Sequence, residues 1–524
     1  MTVSSPIEGF DFHNLFVLDM ANNHQGSVEH GKRIIKECGE AAAKHGVRAA
    51  LKFQFRQLDS FIHPASKSGG TAKHIPRFLQ TRLSGAQFQE LYDAVKAASM
   101  LTMCTPFDEE SVDVIVGMKF DIVKIASCSA RDWPLIEKVA DSGLPVVFST
   151  GGLEIAAVDD LVSYFTHRGV DFAIMHCVSI YPTPPEECHL NRVDLLRRRY
   201  PGRVIGWSTH EDPNDPAPVH IAFAKGARMF ERHVGVATNE IKLNGYSSTP
   251  EQMDRWFAAH RHAVKLCGPE TFRPVVAVEK AELDSLRRGV FAKKPIRAGQ
   301  TIGREQVYFA MPYQDGQLES GQWKSGIVAK ADVAADGAIR SDGIAPPPPA
   351  PGHLIKSAIH DIKALLNEAG VPLNSQFQVE FSHHYGMQQF REVGAVLIDC
   401  VNRSYCKKIV VQLPGQKHPS HFHKQKEETF QVLHGVLHLQ VDGHPHTLYP
   451  GQTILVQPGV WHGFWTDTGC VFEEISTTAI NGDSFYADKQ ISQMARSARK
   501  TVVDHWGRFQ IASAGSDTVP VVAD

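Results

Sequence analysis

Two histidines one residue apart, a carboxylate five residues later and a distant third histidine form the densest group of metal-binding side chains. His421 and His423 point to the same side of one strand, because side chains alternate along β-structure. Glu428 and His462 are expected on neighbouring strands, so three nitrogens and one oxygen can converge on a divalent metal. Glu427 is an alternative oxygen ligand, because it lies near the same strand.

A second group of polar side chains follows short apolar runs in the first half of the chain. Lys52 and Lys124 offer point charges for an anion, and several hydroxyl groups offer converging donors: Ser149, Thr150, Ser179 and Ser208. A lysine buried without an anion is costly, so the pair favours an anion site over two separate salt bridges. His210 and His233 end the last two runs, and two imidazoles with open positions suit a catalytic divalent ion.

The elements that position this second group are eight short apolar runs separated mostly by helical stretches. A β/α barrel places its chemistry at the C-terminal ends of its strands, so eight polar strand ends describe one active site. The sequence therefore predicts an α/β fold with a (β/α)8 TIM barrel over residues 1–275, of which 1–14 form a tail. The runs are Leu15–Met20, Ala49–Phe53, Leu101–Cys104, Ile122–Ile125, Pro145–Phe148, Phe172–Met175, Val204–Trp207 and Met229–Phe230.

Three further segments follow the barrel. Residues 280–344 predict a small β-rich domain, and the proline-rich stretch 345–352 predicts a semi-rigid linker. Residues 353–492 predict an amphipathic helix followed by a β-barrel or sandwich, and 493–524 a tail. Within the barrel, the connection 56–83 predicts a lid over the substrate or an insertion without a role, followed by a helix that Ser84 caps.

Size and composition exclude several classes of protein. A chain of 524 residues is too long for one core, which predicts two or three domains. A net charge of −3 offers no electrostatic basis for binding nucleic acid or an anionic membrane. Nine cysteines without a CxxC pair suit reduced thiols, and no run reaches transmembrane length. A cytoplasmic location is expected.

Residues 15–344 resemble the sialic acid synthase family, whose members condense phosphoenolpyruvate with an aldose to a 2-keto-3-deoxy sugar acid. Residues 280–344 resemble the antifreeze-like (SAF) domain of that family, which caps the partner subunit's active site and implies a homodimer. The motifs that carry the resemblance are Asn23-His24-Gln25-Gly26, Lys52-Phe53-Gln54, Thr105-Pro106-Phe107-Asp108, Lys124-Ile125-Ala126-Ser127, Ser149-Thr150-Gly151, His176-Cys177, Tyr181-Pro182-Thr183-Pro184, Ser208-Thr209-His210 and Glu231-Arg232-His233.

The resemblance implies roles for these residues. His210 and His233 would hold manganese or magnesium, Asp19 would act as an acid/base or on the metal-bound water, and Glu231 would contact a ligand or orient His233. The substrates would be phosphoenolpyruvate and an aldose. Substrate binding is implied for Asn23, Lys52, Gln54, Thr105, Lys124, Ser127, Ser149, Thr150, Ser179, Tyr181 and Ser208.

Three positions depart from the family pattern. Asp19 stands where glutamate is usual, which keeps a shortened carboxylate. Ser129 stands where glutamate is common, and Met311 replaces an arginine associated with the acylamino group of the sugar. These two changes favour an aldose other than N-acetylmannosamine.

The histidines of the second half resemble a cupin motif. Gly415, His421, His423, Glu428 and Gly435 match its first part at every spacing, and Gly451, Pro458-Gly459 and His462 match its second part with the proline shifted by one place. The metal is not identified by the sequence. Carboxylates in 472–476 are similar to those of cupin sugar isomerases, which leaves open an isomerase or epimerase, a sugar-binding or assembly domain, and a dioxygenase. A cupin isomerase or sugar-binding protein with a non-condensing barrel is the alternative for the whole chain.

Overall fold

The computed structural model describes residues 9–67, 73–269, 274–347, 351–505 and 510–511. The chain divides into two compact units, residues 1–274 and 275–524. The finer domain boundaries remain predictions. In the described residues, no helix is long and apolar enough to cross a membrane.

The first unit contains a closed barrel of eight parallel strands that pair in chain order, with β1 also paired to β8. Each predicted run overlaps one strand, and the predicted α/β fold with a (β/α)8 barrel is confirmed. The strands are β1 (Leu15–Asp19), β2 (Arg48–Phe55), β3 (Leu101–Pro106), β4 (Ile122–Ile125), β5 (Val146–Ser149), β6 (Phe172–Cys177), β7 (Ile205–Thr209) and β8 (Met229–His233).

Helices lie between the strands and cover the barrel. The helix predicted after Ser84 is confirmed, since Ser84 and Gln87 form a reciprocal capping box. The helices are α1 (Val28–His45), α2 (Leu58–Phe61), α3 (Pro64–Lys67), α4 (Ile75–Gln80), α5 (Gly85–Ala97), α6 (Glu109–Gly117), α7 (Trp133–Asp141), α8 (Ile155–His167), α9 (Asn191–Arg199), α10 (Ala217–Ala224) and α11 (Pro250–Cys267).

Two regions differ from the expected tail and lid. Phe12 is buried among interior residues of the barrel such as Leu15 and Val17, so the described end of the segment expected as a tail, residues 9–14, packs against the barrel. The connection 56–83 contains α2, α3 and α4, whereas Ser68, Gly69 and Gly70 of its expected flexible stretch lie outside the described residues.

The second unit begins with a small β-rich part. It contains α12 (Ala277–Leu286), β9 (Gly289–Ala292), β10 (Val307–Ala310), β11 (Val328–Ala329) and β12 (Ile344–Ala345). Its core is formed by Val290, Ile302 and Ile339, among others. The centre of the predicted linker, residues 348–350, lies outside the described residues.

The rest of the second unit is an amphipathic helix followed by two antiparallel sheets. The helix buries Ile355, Ile359 and Ile362, as its apolar spacing predicts. Its elements are α13 (Pro351–Glu368), β13 (Gln378–Ser382), β14 (Ala395–Asn402), β15 (Tyr405–Gln412), β16 (Lys417–His423), β17 (Glu428–Gly435), β18 (Leu437–Val441), β19 (His444–Leu448), β20 (Thr453–Val456), β21 (His462–Trp465), β22 (Cys470–Thr477), β23 (Ser484–Tyr486), α14 (Lys489–Gln493), α15 (Arg496–Arg499), β24 (Lys500–His505) and β25 (Gln510–Ile511).

One sheet has the strand order β20-β17-β22-β15-β14-β13-β24-β25 and the other β19-β18-β21-β16-β23. β24 pairs with β13, so residues after 492 contribute a strand to this sheet. Lys500 on this strand also binds the buried Glu380 of β13, at 2.5 Å. This ion pair explains why a segment that looks polar in sequence belongs to the sheet.

Candidate active site and metal centre

The polar residues of the barrel lie on the strand face that points inward. Side chains two positions apart on a strand point to the same face. On seven of the strands, the polar residue follows a buried interior residue or a glycine by two or four positions, so it also points into the barrel. The series are Val17-Asp19, Ala50-Lys52-Gln54, Met103-Thr105, Ile122-Lys124, Val147-Ser149, Gly206-Ser208 and Met229-Glu231-His233.

Two lysines and two carboxylates form a charged centre inside the barrel. Lys52 Nζ lies 2.9 Å from Asp19 Oδ2 and 2.7 Å from Glu231 Oε1. Lys124 Nζ forms a hydrogen bond with Glu231 Oε2, and all four residues are buried. Glu231 is therefore an anion shared by two ammonium groups. An anionic ligand at this point has to replace Glu231 or lie next to it.

Mutual electrostatics favour the charged forms of Glu231 and Lys52, whereas burial lowers the pKa of Lys124. Burial by itself raises the pKa of Glu231, but Lys124 and Lys52 outweigh it and hold that pKa well below its usual value. Burial by itself lowers the pKa of Lys52, and the carboxylates of Asp19 and Glu231 reverse this, so that its pKa is raised. At neutral pH, Lys52 is an ammonium group and Glu231 a carboxylate.

His210 and His233 lie side by side at the ends of β7 and β8, with ring centroids 5.4 Å apart. His210 Nδ1 donates to the carbonyl of Val178 at 2.9 Å, which leaves Nε2 with a lone pair. His233 Nδ1 lies 3.4 Å from Asp19 Oδ2. Burial lowers the pKa of His210 to about 3, so its ring is neutral. Two neutral imidazoles next to a carboxylate fit a divalent ion that keeps positions open for substrate.

Two tyrosine rings border the imidazoles. The ring of Tyr181 lies 4.2 Å from that of His210. The ring of Tyr246 lies 5.8 Å from His210 and 5.2 Å from His233. Sequence reasoning identified Tyr181 but missed Tyr246, because Tyr246 lies in a loop after β8 where no strand periodicity indicates its direction. Together the rings form an apolar wall beside the candidate metal position.

A pocket of hydroxyl groups surrounds Gly151. The Gly151 amide donates to Ser127 Oγ at 2.9 Å. A Cβ at Gly151 would stand 2.3 Å from Ser179 Oγ and 2.8 Å from Ser127 Oγ, so only glycine fits. Cys177 Sγ borders the same space, 3.3 Å from that Cβ position, and Ser127 and Ser208 both lower the pKa of its thiol, which burial raises. Three of the predicted serines therefore share one pocket, as a phosphate or carboxylate site requires.

The remaining predicted residues occupy three kinds of position. Asn23 and Thr150 serve the scaffold: Asn23 Nδ2 donates to Val234 O at 2.8 Å, and Thr150 Oγ1 to Met175 O at 3.2 Å. Gln54 donates to Asp19 Oδ2 at 3.3 Å. Thr105 and Ser149 are buried at strand ends, and Thr105 Oγ1 has no hydrogen-bond partner in the part of the chain that the structure describes.

Arg56 is a residue of the mouth that sequence reasoning missed. Its guanidinium lies 3.5 Å from the ring centre of Phe107 and 4.2 Å from that of Phe78, and Nη2 donates to Gln54 Oε1 at 3.1 Å. A signal was present in the sequence: Lys52, Gln54 and Arg56 alternate with phenylalanines, so all three belong to the inward face.

The second unit contains a separate group of metal-binding side chains. Among the described residues, His421, His423 and His462 are the three whose ligand atoms lie within 4.8 Å of one another. Glu428 adds a carboxylate, with Oε1 3.4 Å from His423 Nε2 and Oε2 3.1 Å from His462 Nε2. All four are buried. Glu427, the alternative ligand, is exposed, which favours Glu428.

Backbone carbonyls orient the three rings. The Nδ1 atoms of His421, His423 and His462 donate to carbonyls of Pro419, Asp483 and Val460 at 3.1, 2.9 and 3.1 Å. Each ring therefore presents an unprotonated Nε2, the form that binds a metal. His462 Nε2 and Glu428 Oε2 are buried and have no hydrogen-bond partner in the described part of the chain. These unsatisfied atoms and this donor set fit a divalent cation.

Further polar residues surround the histidines. Lys426 Nζ contacts Glu428 and lies 2.9 Å from Glu474 Oε1, and all three side chains are buried. Of the two carboxylates expected in the interior, Glu474 lies there, whereas Glu473 pairs with the half-exposed Lys407 at 2.7 Å. A core with this many charged groups suits a polar ligand rather than a lipid.

Comparison with known proteins assigns both domains. Residues 39–271 match the NeuB family and residues 408–473 the Cupin domain family. A crystal structure of a spore coat polysaccharide biosynthesis protein E from Chromobacterium violaceum is 44% identical, with a TM-score of 0.61, over 64% of this chain and 100% of that one.

Two curated relatives are similar over part of the chain. The spore coat polysaccharide biosynthesis protein SpsE of Bacillus subtilis is 27% identical over 65% of this chain and 96% of its own length. The N-acetylneuraminate-9-phosphate synthase of Drosophila melanogaster is 32% identical over 44% of this chain and 63% of its own length. The barrel, its polar strand ends and these similarities together show that the chain belongs to the NeuB family and carries a cupin domain.

Proposed function

We propose that the barrel condenses phosphoenolpyruvate and an aldose with water to give a 2-keto-3-deoxy sugar acid and phosphate. The observation that carries this proposal is the pair of buried lysines around Glu231 beside the serine pocket at Gly151. Phosphoenolpyruvate carries a carboxylate and a phosphate, and this arrangement offers ammonium groups and hydroxyl donors for both. The synthase name of the Drosophila relative supports the same reaction class.

In this proposal, each group of side chains has a separate role. Lys52 and Lys124 hold the anionic groups, and Ser127, Ser179 and Ser208 bind the oxygens that gain charge. His210 and His233 would hold manganese or magnesium, which would supply a Lewis acid for the aldose carbonyl. Asp19 lies next to His233 and Lys52, where it can accept a proton from the water that attacks C2. The enol carbon attacks the aldehyde, and phosphate leaves after C2 is hydrated.

The test is phosphate release from phosphoenolpyruvate with manganese and a panel of aldoses. We expect release that depends on both substrates, and we expect N-acetylmannosamine not to be the best acceptor, because Ser129 and Met311 replace family residues. Absence of phosphoenolpyruvate binding in calorimetry with manganese would contradict the synthase proposal. Turnover fastest with N-acetylmannosamine would contradict the acceptor assignment alone.

Two properties of the assembly belong to the same proposal. We expect a homodimer in which residues 280–344 of one copy cover the active site of its partner, and a cytoplasmic location where phosphoenolpyruvate is available. Sedimentation analysis tests whether the protein is a homodimer. A monomer with full activity would contradict it.

For the cupin we propose a divalent metal held by His421, His423, Glu428 and His462, in a site that binds a sugar. Lys426 between Glu428 and Glu474 favours sugar isomerisation as a second activity, because a carboxylate beside a metal suits aldose–ketose proton transfer. The combined variant His421→Ala with His423→Ala separates these roles. Lost ketose-to-aldose conversion with intact phosphate release supports isomerisation, whereas unchanged conversion leaves sugar binding as the function.

A further inference from the structure

In the described part of the chain, no acidic side chain forms an ion pair with Arg56. Gln54 Oε1 is the acceptor that it has there. Two carboxylates lie near enough to influence it, Asp19 and Asp108. Asp19 is already bound to Lys52, and both oxygens of Asp108 accept backbone N–H groups, from Gln57 and Ser111 at 2.8 Å.

The arginine is nevertheless held in a defined position. Its guanidinium lies between the rings of Phe78, on α4, and Phe107, after β3. Stacking on two aromatic faces orients the planar group and removes much of its water. Burial lowers the pKa of Arg56 to about 10, which shows that its charge is partly desolvated. A fixed, desolvated and unneutralised guanidinium has the properties of an anion-binding residue.

Its place in the barrel distinguishes it from the phosphoenolpyruvate site. Lys52, Gln54 and Arg56 follow one another along the inward face at two-residue steps, so the Cα atom of Arg56 lies about 13 Å along the chain from that of Lys52. Two hydrogen bonds, from Arg56 to Gln54 at 3.1 Å and from Gln54 to Asp19 at 3.3 Å, place the guanidinium on the mouth side of the charged centre. A three-carbon ligand held by Lys52 and Lys124 does not extend that far. The acceptor sugar can reach Arg56, because its aldehyde must meet the enol carbon inside the barrel while its other end points toward the mouth.

We propose that Arg56 binds an anionic group, a phosphate or a carboxylate, at the end of the acceptor aldose distant from its aldehyde. The inference rests on the proposed synthase function and narrows its substrate to acidic sugars.

The experiment measures binding and turnover of matched sugars by the full-length protein with phosphoenolpyruvate and manganese. Mannose is compared with mannose 6-phosphate and with mannuronate, so that the two arms distinguish a phosphate from a carboxylate. We expect one acidic sugar to bind about tenfold more tightly than mannose. Arg56→Met should abolish that preference with unchanged phosphoenolpyruvate affinity, and Arg56→Lys should retain part of it, since lysine keeps the charge but not the planar stacking.

Arg77→Met is the matched control, because Arg77 is an exposed arginine of α4 that binds the uncharged Gln25 and Asn22. An equal loss of preference in this variant would mean a general positive field and would overturn the assignment to Arg56. So would equal affinity for all three sugars in the unmodified protein, or a preference that survives Arg56→Met. If phosphoenolpyruvate itself does not bind, the synthase proposal fails, while calorimetry of the three sugars still decides the role of Arg56.

Discussion

At the residue scale, the barrel centre shows how one carboxylate organises two cations. Glu231 holds Lys52 and Lys124 close together in a place where either alone would be costly to bury. The carboxylates raise the pKa of Lys52, whereas burial lowers the pKa of Lys124 despite its contact with Glu231. A substrate with two anionic groups can then take over contacts that already exist. The same side chains thus stabilise the fold and prepare the site.

Lys124→Met should weaken phosphoenolpyruvate binding about 100-fold, because a buried charge partner of the ligand is removed. Calorimetry with manganese present measures the affinity. Lys138→Met is the control, since Lys138 pairs with Asp113 at 2.7 Å on the surface. This variant should bind phosphoenolpyruvate with the affinity of the unmodified protein. Equal affinities for all three proteins would show that the lysine pair does not hold the ligand.

A second prediction at this scale concerns Glu380, which binds Arg496 at 2.6 Å and Lys500 at 2.5 Å. Burial opposes its ionisation, but the two cations lower its pKa to about 2. A lowered folded-state pKa gives stability that is complete above the unfolded value near 4.5 and is lost as the pH falls toward 2. The difference in unfolding free energy between the protein and Glu380→Gln should therefore shrink by roughly 2 kcal/mol when the pH is lowered from 7 to 3.

Urea unfolding at the two pH values measures this convergence. Asp59→Asn is the control, because its partner Arg82 is exposed and the pair is screened by solvent, so no convergence is expected. A constant difference between the protein and Glu380→Gln would contradict the pKa direction.

At the scale of elements, the interior of the barrel requires a glycine on β7. A Cβ at Gly206 would stand 2.7 Å from the carbonyl oxygen of Met229 on β8, a backbone atom that cannot move without shifting the strand. Gly117, on the exposed end of α6, has open space at the same position.

Gly206→Ala should destabilise the protein by about 2–3 kcal/mol, as overpacking in a rigid core does. Gly117→Ala should be neutral or stabilise it by up to about 1 kcal/mol, because alanine loses less entropy in a helix. Urea unfolding of both variants measures these two changes in stability. Similar stabilities would mean that the barrel accommodates the methyl group.

At the scale of the whole molecule, the two compact units should respond separately to metal. A divalent ion at 100 times its dissociation constant stabilises the unit that binds it by about 2.7 kcal/mol. Calorimetry of the full chain should show one unfolding transition whose temperature falls when a chelator is added. The double variant His421→Ala, His423→Ala should lower the temperature of the same transition by an equal amount. His210→Ala with His233→Ala should keep the chelator effect, because the barrel offers two imidazoles and not a closed site. A chelator effect that survives loss of the cupin histidines would contradict the assignment.

The sequence alone determined the barrel, and it placed the candidate cupin ligands and the two lysines on the faces they occupy, because these features depend on local periodicity. A residue two positions beyond an interior residue on a strand faces the same interior, and this rule holds for Asp19, Lys52, Lys124 and Glu231. By the same rule, the spacing of His421 and His423 already placed them on one side of β16.

Only the tertiary structure decided which of these groups meet. Neither the sharing of Glu231 by two lysines, nor the position of Tyr246, nor the enclosure of Arg56 by Phe78 and Phe107 follows from spacing. These contacts join loops and strands far apart in the chain. Periodicity describes one element at a time, whereas the contacts depend on how the elements pack.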